Sequence, residues 1–122
     1  MSHLVTLQAK LRDPAALAAA CRRLGLAEPI RETVALFSES VTGLAVRLPN
    51  WQYPVVVDVA EGALRFDDFG GQWGERKELD RLIQAYAVEK AKLEARQKGY
   101  TCTETLLHDG SVKLQILAGA SS

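Results

Sequence analysis

The segment from Glu75 to Lys98, ERKELDRLIQAYAVEKAKLEARQK, closed by Gly99-Tyr100, is the stretch that most restricts how this chain can fold. Its apolar residues Leu79, Leu82, Ile83, Tyr86, Ala87 and Leu93 recur at intervals of three and four, which lays one apolar stripe along an α-helix. The remaining positions are largely charged. A helix of this kind needs a flat hydrophobic surface to lie on, and the β-rich segments on either side can supply one. The pattern therefore predicts a helix lying as a lid on a sheet.

At 122 residues and 13.3 kDa the chain is expected to form one domain, residues 1–122, large enough to bury a core without disulfides or a structural metal. Lys plus Arg and Asp plus Glu balance at 15 each, so no net field attracts phosphate backbones and nucleic acid is not an expected partner. No apolar run approaches the roughly 20 residues of a spanning helix, and no membrane association is expected. The opening MSHLVTLQAKLRD lacks the positive start, apolar run and small-residue cleavage site of a signal peptide, which points to a cytoplasmic protein. Cys21 and Cys102 form no CxxC and have no neighbouring His, so they read as reduced, buried thiols.

Taken in order, Val5, Leu7, Ala9 and Leu11 alternate with polar residues as in a half-buried strand. Asp13-Pro14 starts a helix, the Asp side chain accepting from first-turn amides and Pro surrendering only an unneeded donor. Leu17, Ala20, Cys21 and Leu24 form its buried stripe and Gly25 ends it. Thr33–Ser38 and Leu44–Leu48 read as a hairpin around a polar turn ending at Gly43, and Tyr53–Val59 (YPVVVDV) is the most β-rich run. If Glu61-Gly62 is a two-residue loop, Val59 faces Leu64, Val57 faces Phe66, and Tyr53 and Val55 share their side. Asp58, a carboxylate in a valine run and so a candidate acid or base, then falls opposite Arg65 on the other face. There an exposed ion pair accounts for it better than catalysis.

Asp67, Asp68 and the glycines of Phe69-Gly70-Gly71-Gln72-Trp73-Gly74 connect this strand to the long helix. Gly70, Gly71 and Gly74 before a helix can be read as an anion cradle with Arg76 nearby, or as a tight connection packed under aromatic rings. The P-loop Lys-Ser/Thr and the GxGxxG spacing are both missing. Carboxylates at Glu61, Asp67 and Asp68 invite a divalent cation, but the spacing matches no calcium loop, so neither a metal nor a cofactor is assigned. At the end of the chain, Tyr100–Leu107 and Ser111–Leu117 form a hairpin around His108-Asp109-Gly110. A three-residue loop with Gly110 left-handed puts Tyr100, Cys102 and Leu106 on one side with Val112, Leu114 and Ile116, and leaves Glu104 on that apolar side. His3 and His108 are the only histidines, so no zinc site or Ser-His-Asp triad is indicated and no catalytic residue is assigned.

The opening MSHLVTLQAKLRDPAALAAACRRLG, the central IQAYAVEKAKLEARQKGY and the final DGSVKLQIL resemble, in order and spacing, the family of hypothetical chloroplast reading frame 35. The same family, known as domain of unknown function 1257, occurs in plastids, cyanobacteria and other bacteria. Gln84, Tyr86 and Ala87 look like its Gln-x-Tyr-Ala signature, Gly99-Tyr100 like its Gly-Phe, and Asp109-Gly110-Ser111 like its terminal turn. Leu4 stands where the family has Phe, and TGLAVRL replaces a Tyr-Asp-Ile-Gly-Phe strand. The resemblance implies a cytoplasmic or stromal accessory protein and supplies no activity or catalytic residues to transfer.

The expected architecture is α+β, in the order β-α-β-β-β-β-α-β-β, with two helices on one face of a mostly antiparallel sheet of roughly seven strands. Its expected core comprises Val5, Leu7, Leu17, Leu24, Val55, Val57, Phe66, Leu79, Ile83, Tyr86, Leu114 and Ile116. The far face should be polar, with Thr6, Gln8, Lys10, Asp58 and Arg65 sharing it with Val56 and with Phe37, Trp51 or Leu117. Two functions fit. One is a non-catalytic interaction module for a partner protein or a second copy, with Trp51, Tyr53 and Trp73 as anchors unless these rings cap the core. The other is a small-ligand binder or enzyme, taking an anion or nucleotide at Gly70–Gly74 beside Asp67, Asp68 and Arg76.

Overall fold

The computed structural model describes residues 4–37 and 39–118. The Met1-Ser2-His3 opening and Ser38 lie outside the described residues. The elements are β1 (Val5–Gln8), α1 (Pro14–Arg23), β2 (Ile30–Ala35), β3 (Ser40–Val46), β4 (Val55–Asp58), β5 (Ala63–Phe66), α2 (Arg76–Gln97), β6 (Thr101–Leu106) and β7 (Val112–Leu117). The order is the one the sequence predicts. All the pairings are antiparallel, but the strands divide into a five-stranded sheet ordered β1-β5-β4-β3-β2 and a separate β6-β7 hairpin. The single sheet of about seven strands is thus corrected, because the last two strands never reach an edge of the first five.

Both helices cover the same face. Ala16, Leu17, Ala20 and Cys21 of α1 and Leu79, Leu82 and Tyr86 of α2 share one core with Val46, Val55, Val57, Leu64 and Phe66. Local chemistry sets the helix ends. The Asp13 side chain accepts from Ala15 N–H at 2.9 Å and Ala16 N–H at 3.3 Å, and Asp13 N–H donates to the Tyr86 hydroxyl at 2.9 Å. Lys90 adds an ion pair to the same Asp13 at 3.0 Å, and its hydrogen bond leads the causes that hold the Asp13 carboxyl below its ordinary range. Tyr86, the aromatic residue of the Gln-x-Tyr-Ala stretch, therefore ties the start of α1 to α2.

Several sequence expectations shift. The β4–β5 loop spans four residues, so Val57 faces Leu64, Val56 faces Arg65 and Asp58 faces Ala63. Gly62 O accepts from both Ala9 N–H and Leu11 N–H at 3.2 Å, and this long-range anchoring draws the loop away from a two-residue turn. The slip of two residues preserves the faces. Asp58 still reaches Arg65 diagonally at 3.3 Å, and Arg65 also pairs with Glu61 at 3.3 Å. β2 ends at Ala35, β3 begins at Ser40 and Leu36 N–H donates to Glu39 O at 2.9 Å, so Gly43 lies within β3 and does not close the turn. A Cβ at Gly43 would stand 2.6 Å from Val57 O, so glycine permits the close backbone approach of β3 and β4 there. The register places Val34, Leu36, Ala45 and Val56 together in a second apolar cluster on the far face, with Leu4, Val41 and Tyr53 packed against it. That face is consequently less polar than expected, and Tyr53 lies on it because Pro54 takes it out of the strand.

On α2, Ala87 is exposed while Ala85, Val88 and Ala95 are buried. A second side of the helix is covered by the β6-β7 hairpin, which a single-stripe reading omits. Val5 at the sheet edge is 37% exposed and Ile116 is 43% exposed, so both leave the expected core. Leu114, in β7 of the hairpin, is half-buried.

Candidate functional site

Two regions gather chemically notable residues, and the first is the connection from Asp67 to Glu75. It opens with a short 3-10 turn, Phe69–Gly71, in which Phe69 itself has a left-handed φ of 47°. A non-glycine residue in that region is strained by about 1–3 kcal/mol. Asp67, only 1% exposed, accepts from Phe69 N–H at 3.2 Å through Oδ1, while its Oδ2 is buried with no partner among the described residues. Asp68 accepts from Gly70 N–H through its side chain at 3.2 Å, and its carbonyl takes Gly71 N–H at 3.0 Å and Trp73 N–H at 2.9 Å. The amides expected to cradle an anion at Gly70 and Gly71 are thus engaged by Asp68. Arg76 lies over the Phe66 ring at 5.7 Å and pairs with Asp80 at 3.4 Å, so its charge is shared with α2.

The aromatic candidates separate. Trp51 sits on the helix side, edge-on to Phe66 at 5.8 Å, and its indole N–H donates to Glu75 O at 3.1 Å. A Cβ on Gly74 would fall 2.2 Å from the Trp51 ring, so this glycine provides close backbone approach under an indole. Trp51 therefore does not share the far face, where it was expected. Tyr53 and Trp73 do come together, with centroids 5.5 Å apart. Phe69 stacks at 4.6 Å and Phe37 at 5.4 Å against the same Trp73 ring. Phe37, 63% exposed, and Phe69 complete a surface aromatic cluster that sequence reasoning did not assemble, because it joins rings from three separate stretches of the chain.

The second region is the β6-β7 hairpin and the helix faces beneath it. Its register is the one a three-residue loop predicts: Cys102 faces Ile116, Glu104 faces Leu114 and Leu106 faces Val112, with Gly110 at φ 87°. The placement of Glu104 on the apolar side acquires a reason. Glu104 bonds Arg23 of α1, and it pairs with Lys92 of α2 at 2.7 Å. Arg23 and Lys92 also reach Glu89 at 3.1 and 3.4 Å. The Arg23 hydrogen bond, followed by that of Lys92, holds the Glu104 carboxyl down at about 2. Arg23 and Lys92 are raised, each chiefly by its bond to Glu104. Cavities of about 150 Å³ lie between hairpin and helix, one beside Ala85, Val88, Leu106 and Val112 and another beside Ala95, Tyr100 and Ile116. The hairpin is held by an ionic clamp and packs loosely elsewhere.

Among the described residues no group of three or more His, Cys, Asp or Glu side chains could hold a metal ion, and no helix is long and apolar enough to cross a membrane. No protein-family model, curated protein or solved structure matches this chain.

Proposed function

We propose that this chain is a non-catalytic protein-interaction module acting in the cytoplasm or a stroma-like compartment, and that its interaction element is the β6-β7 hairpin. One observation carries this reading. Of the eight large hydrophobic residues exposed among the described residues, five belong to this hairpin and its flanks: Tyr100, Leu106, Leu107, Ile116 and Leu117. Single exposed apolar residues need no explanation, whereas their concentration on one projecting element marks a contact surface. The resemblance to the chloroplast reading frame 35 family agrees with an accessory role. The tagged full chain should capture a stoichiometric protein from a native lysate, and Leu106→Ser with Leu107→Ser should abolish that capture while leaving the fold intact. Capture unaffected by these substitutions would remove the hairpin from the interface.

A second reading, a small-ligand binder or enzyme at Gly70–Gly74, draws support from the unpartnered Oδ2 of Asp67. A buried carboxylate oxygen seeks a donor or a cation, which turns the expected anion or nucleotide into a positively charged ligand. Thermal melting with a panel of divalent ions and organic ammonium compounds tests it. A ligand that raises the melting temperature of the wild type but not of Asp67→Asn would favour this reading.

A further inference from the structure

A hairpin has two outer edges, and the backbone of this one determines what each can accept. Leu107 N–H donates to Ser111 O at 2.9 Å, so residues 107 and 111 form a bonded pair and the pattern alternates from there. Thr105 and Lys113, Thr103 and Gln115, and Thr101 and Leu117 are then mutually bonded. Val112, Leu114 and Ile116 turn their N–H and C=O groups toward the free edge of β7. Their side chains share one face, where Val112 and Leu114 are half-buried and Ile116 is 43% exposed.

Other edges are protected in familiar ways. β2 follows Pro29 and carries Arg31 and Glu32, and β1 is only four residues long. β7 runs six residues, VKLQIL, with Lys113 its single charge. A two-stranded hairpin is marginal alone and gains from further strands.

We propose that β7 pairs antiparallel with β7 of a second copy of this chain, about a two-fold axis through Leu114, so that two hairpins form one four-stranded sheet. The proposal rests on the interaction reading above and names its partner. The strand is complementary to itself in this register. Leu114 faces Leu114 of the second copy, Val112 faces its Ile116, and Lys113 faces its Gln115. All three outward-turned residues gain backbone partners, the apolar face runs on unbroken, and no like charges meet. β6 lacks this property. Its outward-turned residues are Cys102, Glu104 and Leu106, and centring a two-fold axis on that strand sets Glu104 against Glu104. The balanced charge of the molecule, 15 basic against 15 acidic residues, leaves no long-range repulsion between copies.

Sedimentation equilibrium of the full chain at high micromolar concentration, with a parallel cross-linking arm, tests the pairing. The wild type should have twice the 13.3 kDa monomer mass. Ile116→Lys, which puts a charge on the apolar face opposite Val112 of the second copy, should weaken dimerisation more than tenfold with an unchanged circular dichroism spectrum. In a Cys102→Ser background, Leu114→Cys should form an intermolecular disulfide under mild oxidation, since bonded antiparallel pairs lie about 5.5 Å apart at Cα, within disulfide reach. A monomeric wild type overturns the pairing, and lysate capture through Leu106 and Leu107 then decides independently whether the interaction reading stands. A dimer that survives Ile116→Lys, or that gives no Leu114→Cys cross-link, overturns the assignment to β7.

Discussion

Gly74 and Asp67 show how differently single residues in one connection can behave. Replacing Gly74 with Ala would drive a methyl group into the Trp51 ring, where the Cβ would stand 2.2 Å away. The indole cannot move without losing Phe66 and the Glu75 carbonyl, so urea denaturation should show Gly74→Ala destabilised by about 2–3 kcal/mol. Asp67 carries the opposite expectation. Asn at this position retains an acceptor for Phe69 N–H and removes a carboxylate oxygen buried without a partner. Without added ligand, Asp67→Asn should match or exceed the wild type in stability, and a loss above about 1 kcal/mol would mean that Oδ2 is satisfied in solution. Cys21 offers a third check, since burial pushes its thiol up to about 11. At pH 8 roughly one thousandth is thiolate, so mass spectrometry should find Cys102 alkylated long before Cys21. Equal rates would contradict the packing of α1. The acids and glycines of this connection were legible in the sequence as candidates. The burial of Asp67 was not, because burial depends on tertiary packing that no local pattern announces.

At the scale of elements, legibility followed the range of the interactions involved. The Asp13-Pro14 start and Gly25 end of α1 are local chemistry and could be read directly. The β4–β5 register could not, because Ala9 and Leu11, some fifty residues earlier, hold the Gly62 carbonyl and open the loop to four residues. Along α2, Ala87 was mistaken for a buried position and Val88 missed, since nothing in a single stripe announces that a hairpin will cover a second side. The same hairpin yields a prediction about pH. Glu104 has its pKa lowered from 4.5 to about 2 by Arg23 and Lys92, so its stabilising contribution is complete above about pH 4.5 and fades as pH falls toward 2. Its side chain is 28% exposed, and solvent screening reduces the contribution to about 1 kcal/mol. Glu104→Gln should cost that amount at pH 7 and almost nothing near pH 2. A penalty independent of pH would show that packing, not the ionic clamp, secures the hairpin.

The whole molecule consists of a sheet with an apolar cluster on each face, two helices over one of them, and a hairpin attached beyond the helices. The far face, expected from alternation to be polar, also carries the apolar cluster of Val34, Leu36 and Val56, and most of the exposed large apolar residues lie on the hairpin and its flanks. On this account association belongs to the end of the chain, with Trp51 acting as a core cap. The most direct test is the concentration dependence of amide chemical shifts in the 122-residue chain. Shifts concentrated at residues 112–116 of β7, with Tyr53 and Trp73 unmoved, are predicted. Spectra that do not change with concentration, or shifts confined to Phe37, Tyr53, Phe69 and Trp73, would contradict it.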